Sequence, residues 1–225
     1  LSQLLGIPLV HTGHSLGRCK RQRLLDHGRK EAAIERQFNF ARRIAAEEDV
    51  LAHAALVVTS TAQESQAQYG LYANYQPGRS VVIAPGTDTS RFAPPGRAPV
   101  PPHVPALVDR FLAQPKKPLS LAICRPEMRK NLCRLVEAYG STPELRERAN
   151  LAIVAGNRDD LRTLDEAQAE VLKDLLLDVD RHDLWGSVAL PKRHQPDDIP
   201  ALYRLAAQRR GVFVNPALTE PFGLT

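Results

Sequence analysis

Methionine and tryptophan each occur once in these 225 residues, and aromatic side chains make up only 5% of them. Trp185 and the five tyrosines are scattered. They do not interleave with a basic stripe, which is how a single-stranded nucleic acid would be stacked and held. Three cysteines (Cys19, Cys124, Cys133) in so long a chain argue against a disulfide scaffold. They show no paired metal-ligand spacing, and there is no His-Glu-x-x-His motif, so no metal site is expected. No run reaches the roughly 18 apolar residues of a membrane span. The start lacks the basic and apolar regions of a signal peptide. The expectation is a soluble, cytoplasmic protein without nucleic-acid or membrane partners, its oligomeric state left open.

What is present is ordinary for a globular protein: 43% hydrophobic and 24% charged residues, with a formal charge of +5. Leu1 reads as the middle of a helix, and Thr225 falls in a strand-to-helix passage. The sequence therefore reads as a fragment cut at both ends, expected to be inactive by itself.

Strand and helix patterns alternate along the chain. A short apolar run at 7–12 predicts a buried parallel strand, followed by the loop His14-Ser15-Leu16-Gly17 and the basic stretch Lys20-Arg21-Gln22-Arg23. An apolar stripe through Ile34, Phe38, Ile44, Val50 and Leu51 predicts one helix from about 30 to 53. A strand at 55–59, Ser60 as N-cap, a short helix at 61–69 and a strand at 80–84 come next. Eight prolines between Phe92 and Leu119 leave room only for a short helix near 106–113 and mark a linker. Beyond it the spacing predicts strands at 119–124, 151–155, 187–190 and 211–215, with helices at 130–140, 161–180 and 198–207. The fold class is α/β: two incomplete doubly wound domains, 1–91 and 119–225, joined by a proline-rich linker at 92–118.

Ligands of doubly wound sheets bind outside the carboxyl ends of the strands. The corresponding loops hold His14 and Lys20; Arg125 and Lys130; Asn157-Arg158-Asp159-Asp160; Lys192-Arg193-His194; and Asn215 and Glu220. So many cations at strand ends, ahead of helix N-termini, point to an anionic ligand such as a phosphate. The plainer reading of any one of them is a solvated charge, but Arg125 closing a strand and Lys130 opening a helix stand out as a pair. Gly13-His14-Ser15-Leu16-Gly17 also fits G-x-S-x-G, the nucleophile elbow of α/β-hydrolases, with Ser15 as nucleophile. Against this, the bulky Arg18-Cys19-Lys20-Arg21 comes directly after it, and no Asp and His pair stands out downstream.

Several segments together resemble one family. They are Thr12-Gly13-His14-Ser15-Leu16-Gly17-Arg18, Arg42-Arg43-Ile44 with Ala46-Glu47-Glu48, and Thr59-Ser60-Thr61 with Gln63-Glu64. Pro85-Gly86-Thr87-Asp88, Arg129-Lys130-Asn131-Leu132, Gly156-Asn157-Arg158-Asp159-Asp160 and the run from Asn215 to Thr225 complete the set. Nearly the whole chain is similar to sucrose-phosphate synthases, retaining glycosyltransferases with two Rossmann-like domains facing a cleft (the GT-B type), related to sucrose synthase.

The resemblance implies transfer of glucose from UDP-glucose to fructose 6-phosphate, giving sucrose 6-phosphate and UDP. It places His14 beside the transferred sugar, Arg125 and Lys130 on the diphosphate, and Glu220 on the donor sugar hydroxyls, these four being the catalytic set. Asn157, Arg193, Leu224 and Thr225 join Arg125 and Lys130 in the donor site, and uracil is met partly by backbone near 191–194. Lys20, Arg42 and Arg43 match the cations that take the acceptor phosphate. The plainer alternative for Arg42 and Arg43 is pairing with Glu47 and Glu48 at helical spacing. No cofactor is implied and Mg²⁺ is not strictly expected, because Arg125 and Lys130 stand where a metal would otherwise neutralise the diphosphate. Sucrose synthase or another glucosyltransferase of the same fold is the alternative within the class.

Overall fold

The structure, a computed structural model, describes residues 2–13 and 15–218. It divides after Gly86 into two compact units. The first unit runs α1 (Ser2–Leu5), β1 (Leu9–His11), α2 (Gly17–Asp26), α3 (Glu31–Phe38), α4 (Phe40–His53), β2 (Ala54–Thr59) and β3 (Ser80–Val82). The three strands form a parallel sheet in the order β1-β2-β3, with one irregularity in register between Leu9 and Val10. Leu16, Leu51, Ala54, Val57, Tyr69 and Tyr72 form its core.

The helix expected over 30–53 is broken at Asn39, which is left-handed (φ 47°, ψ 54°). Asn39 ends α3 by donating its N–H to the Glu35 carbonyl, and it starts α4 by accepting from the Arg42 N–H. Asparagine tolerates this backbone better than most residues and caps helices well, so one residue serves both ends. The apolar stripe continues across the break and hides it from a periodicity reading. Capping after β2 falls to Thr61 instead of Ser60. The Thr61 hydroxyl accepts from the Glu64 N–H (3.0 Å), and the Glu64 carboxylate accepts from the Ser60 N–H (2.6 Å). In place of a regular helix, the chain then makes a π-helical turn, Glu64–Gln68, and a 3₁₀ turn, Tyr69–Leu71.

The second unit contains α5 (His103–Asp109), β4 (Leu119–Ile123), α6 (Leu132–Gly140), α7 (Pro143–Arg148), β5 (Asn150–Val154), α8 (Glu166–Arg181), β6 (Val188–Ala189) and α9 (Asp198–Gln208). Side chains alternate across its parallel sheet. Ala122, Leu151 and Ile153 pack against α6 and α8 on one face. Leu119, Leu121, Ile123, Ala152 and Val154 pack against α5 and α9 on the other. The proline-rich stretch thus supplies α5 to the second unit's core, through Val104 and Val108.

The strand expected at 211–215 reduces to a single parallel bridge, Leu121 to Phe213. This bridge lies on the edge of β4 opposite β5, since β4 pairs with β5 and β5 with β6. The chain therefore steps outward from β4 to β5 to β6 and returns to the far side of β4. That reversal of winding is the topological switch point of a doubly wound sheet.

Candidate functional site

At the switch point the loops leaving β4 and Phe213 meet. Past β4, Met128–Lys130 form one 3₁₀ turn, and Asn131 is left-handed (φ 57°, ψ 32°) before α6 begins. The Asn131 side-chain amide donates to the Pro216 carbonyl (3.1 Å), and the Leu218 N–H donates to the Arg129 carbonyl (3.0 Å). The two loops are therefore clamped together at the carboxyl ends of adjacent strands. Glu127 pairs with Arg125 (3.0 Å) and with Arg129 (2.8 Å). Arg125 remains 68% exposed in its side chain, whereas Lys130 is 5% exposed. Arg125, Arg129 and Lys130, gathered beside a helix start, make this end of the sheet suited to an anion.

Asn157 and Arg193, the other donor residues expected in this unit, lie at the ends of β5 and β6. The Asn157 amide makes a reciprocal pair with the His194 backbone, accepting from its N–H (2.8 Å) and donating to its carbonyl (3.0 Å). Arg193 is paired with Asp159 (Nε to Oδ1, 2.7 Å). Burial pushes the His194 imidazole below its ordinary pKa, against the opposing pull of Asp198. His14, Glu220, Leu224 and Thr225 lie outside the described residues.

In the first unit the loop after β1 is held from two sides. The Gly13 N–H donates to the Tyr69 hydroxyl (2.8 Å). Leu16 offers no capping side chain to α2, and Glu47 of α4 caps it instead, its two carboxylate oxygens accepting from the Gly17 N–H at 3.1 and 3.0 Å. The same carboxylate accepts from the Tyr72 hydroxyl and from Arg43 Nε (2.9 Å), and Arg43 in turn donates to the Ser15 carbonyl. Arg18 donates its N–H to Tyr72 and its guanidinium to Glu48 (2.7 Å). Burial works against the charge on Glu48, but the N–H groups of Asn74 and Ala73 and the Arg18 guanidinium hold its carboxyl below the ordinary range.

This network explains the Gly-x-Ser-x-Gly pattern without a hydrolase. A Cβ at Gly17 would stand 2.7 Å from a Glu47 oxygen, so glycine is there for close approach. The Ser15 carbonyl is engaged by Arg43, which ties this loop to α4. Arg43 thus has the Glu47 partner that helical spacing suggested. Lys20 places its ammonium over the Phe38 ring, 4.4 Å from the centroid, and Arg42 is exposed. The structure does not gather these three cations on one contact. Glu47, Tyr69 and Tyr72 are the residues sequence reasoning missed as organisers of this loop.

Replacing Glu47 by alanine strands the Gly17 N–H, the Tyr72 hydroxyl and Arg43 together. We expect a local loss of about 3 kcal/mol, read as faster amide exchange at Gly17, Arg18 and Lys20. Glu47→Gln, which keeps one acceptor oxygen, should cost about half as much. Equal exchange in both variants and wild type would show that the loop is held some other way.

No family model matches the chain. Sucrose-phosphate synthase of Zea mays is 42% identical over 266 residues, which cover 100% of this chain and 25% of that protein. The chain thus spans about a quarter of the length of the curated relatives it matches. Among solved structures, the sucrose-phosphate synthase of Thermosynechococcus elongatus aligns with a TM-score of 0.64 at 24% identity, over 99% of this chain and 48% of its own. Anabaena HepE, solved with UDP and glucose, aligns with a TM-score of 0.57 at 16% identity, over 91% of this chain and 46% of its own. The structural likenesses bear on fold: each unit is an incomplete Rossmann-like sheet of the GT-B glycosyltransferase type. Over its whole length, this chain is a homologue of the sucrose-phosphate synthases.

Proposed function

We propose that this chain belongs to an enzyme that transfers glucose from UDP-glucose to fructose 6-phosphate with retention, yielding sucrose 6-phosphate and UDP. One observation carries the reading: in a chain homologous over its whole length to sucrose-phosphate synthases, Arg125 and Lys130 stand on the loop at the topological switch point, where doubly wound sheets receive their ligands. Departure of UDP develops negative charge on the β-phosphate. Lys130, held with little solvent around it at the start of α6, offsets that charge more strongly than a solvated ammonium does. Arg125, more exposed, can fork onto two phosphate oxygens. With two cations in place the reaction needs no divalent metal.

Glu220 would read the donor sugar hydroxyls as an acceptor-only group. Leu224 and Thr225 would meet the diphosphate through their backbone, and His14 would stand beside the transferred glucose. Lys20, Arg42 and Arg43 would serve the acceptor phosphate, with Arg43 acting through the loop it holds. Among the described residues no helix is long and apolar enough to cross a membrane, and no disulfide joins any of the three cysteines. We place the protein in the cytoplasm, acting on small molecules.

The test measures UDP release by the intact protein from UDP-glucose with fructose 6-phosphate or with fructose, each with and without EDTA. Release with fructose 6-phosphate alone, insensitive to EDTA, is the expected result. Release with fructose instead would make the enzyme a sucrose synthase and leave Lys20, Arg42 and Arg43 without a phosphate to bind. Sensitivity to EDTA would overturn the metal-free diphosphate site.

A further inference from the structure

Arg158 is 9% exposed, and among the described residues its guanidinium meets no carboxylate. Its partners are all carbonyls of one loop. Nη2 donates to Leu190 (3.2 Å), Nη1 to Pro191 (3.3 Å), and its own N–H to Lys192 (2.8 Å). Burial alone accounts for a guanidinium pKa below the usual arginine range. A buried cation without a counter-charge costs stability, and an apolar side chain of similar volume would fill the space more cheaply. What only arginine can do here is fork onto two successive carbonyls, Leu190 and Pro191, beside the Lys192 carbonyl that its backbone N–H holds. Asn157, next in sequence, fixes both the N–H and the carbonyl of His194. Two adjacent residues after β5 therefore hold five backbone groups of the 190–194 loop in one arrangement. The side chains that would compete, Lys192 and Arg193, are turned to Asp159 (3.4 Å to its carbonyl, 2.7 Å to its carboxylate).

This loop closes β6, two strands from β4. Neighbouring strands lie about 5 Å apart, so the loop stands on the order of 10 Å from the switch-point cations. Ribose and base cover such a span beyond a diphosphate. A planar base read by backbone is selected only if the peptide groups are immobile, because donor and acceptor positions carry all the discrimination. We infer that Asn157 and Arg158 are positioning residues that set which nucleotide base the enzyme accepts, by fixing the backbone of residues 190–194. The inference rests on the glycosyltransferase reading above.

Binding of UDP, ADP and inorganic pyrophosphate to the intact protein separates the possibilities by calorimetry. For Arg158→Lys, which keeps the charge but not the fork, the Kd for UDP should rise roughly tenfold. The Kd for pyrophosphate should stay unchanged, and the UDP-to-ADP preference should fall towards one. Asn157→Ala, at an exposed position that folding tolerates better, should shift the same ratio in the same direction. Neither ratio depends on the fraction of protein that is folded. With UDP-glucose as substrate, KM should rise while kcat is largely kept. Parallel weakening of UDP and pyrophosphate would show that Arg158 acts as a charge and overturn the positioning role. An unchanged UDP-to-ADP ratio in both variants would overturn it as well, while leaving the glycosyltransferase reading intact. A wild-type protein that binds no nucleotide would overturn that reading and this inference with it.

Discussion

Replacing Lys130 by alanine in the intact protein should lower kcat about 10²–10³-fold, a far larger loss than Arg125→Ala produces. The two residues carry the same charge in the same loop, but their surroundings differ. Lys130 is 5% exposed and ends a 3₁₀ turn whose backbone is closed by its own N–H on the Glu127 carbonyl (2.8 Å). A cation fixed in a water-poor position needs no reorganisation when the leaving diphosphate gains charge, so its contribution appears in the transition state. Arg125, 68% exposed in its side chain, acts through solvent, which screens its charge. Arg125→Ala should cost about tenfold, mostly in KM for UDP-glucose. Lys130→Arg should not rescue, because a forked guanidinium does not fit the buried place of a point charge. Steady-state kinetics with both substrates varied decide this; equal losses in kcat for the two alanine variants would mean that burial does not distinguish them.

What the sequence shows of such a site depends on which interactions are local. The alternation of strands and helices, and the cations at strand ends, are properties of short windows, and the loops holding Arg125, Lys130 and Asn157 are legible from them. The switch point is different. It rests on Phe213 returning to the free edge of β4, 92 residues from Leu121 by their numbers, and no local pattern encodes which edge a strand chooses. The capping of α2 is equally non-local. A sequence reader looks for Ser, Thr or Asp at the N-cap and finds Leu16, because the acceptor is Glu47 on another helix. Glu47 is legible only as a helical partner of Arg43, and the structure keeps that pair while giving the carboxylate two further donors. Arg158 reads in the sequence as one more loop charge. Its burial, and the three carbonyls it gathers, arise from the packing of β5 beside β6 and leave no mark in spacing or composition.

Alanine at position 211 should destabilise the second unit by about 4 kcal/mol, although the glycine it replaces is not left-handed. A Cβ there would lie 1.9 Å from the Leu119 carbonyl oxygen and 2.5 Å from its carbon. That obstacle is the backbone of β4, which is hydrogen-bonded on both edges and cannot give way. Residues 211–214 would have to withdraw instead. Two bonds would break, the Leu121 N–H to the Val212 carbonyl and the Val214 N–H to the Leu121 carbonyl, both 2.8 Å. The clamp between residues 215–218 and the Lys130 loop would go with them, so donor binding should fall along with stability. The adjacent residue gives the opposite sign. α9 ends in a Schellman motif, with the Gly211 N–H on the Ala206 carbonyl (2.8 Å) and the Arg210 N–H on Ala207 (3.0 Å). The left-handed position of that motif, φ 53°, belongs to Arg210, one residue before the glycine. Contact with β4 has outranked helix capping for the placement of glycine. Arg210→Gly should therefore stabilise by about 0.5–1 kcal/mol, while Gly211→Ala destabilises. Amide exchange at Leu121 and Ala152 in the intact protein reads both, slower in the first variant and much faster in the second. Unchanged protection in Gly211→Ala would mean that the chain can close on β4 without the glycine.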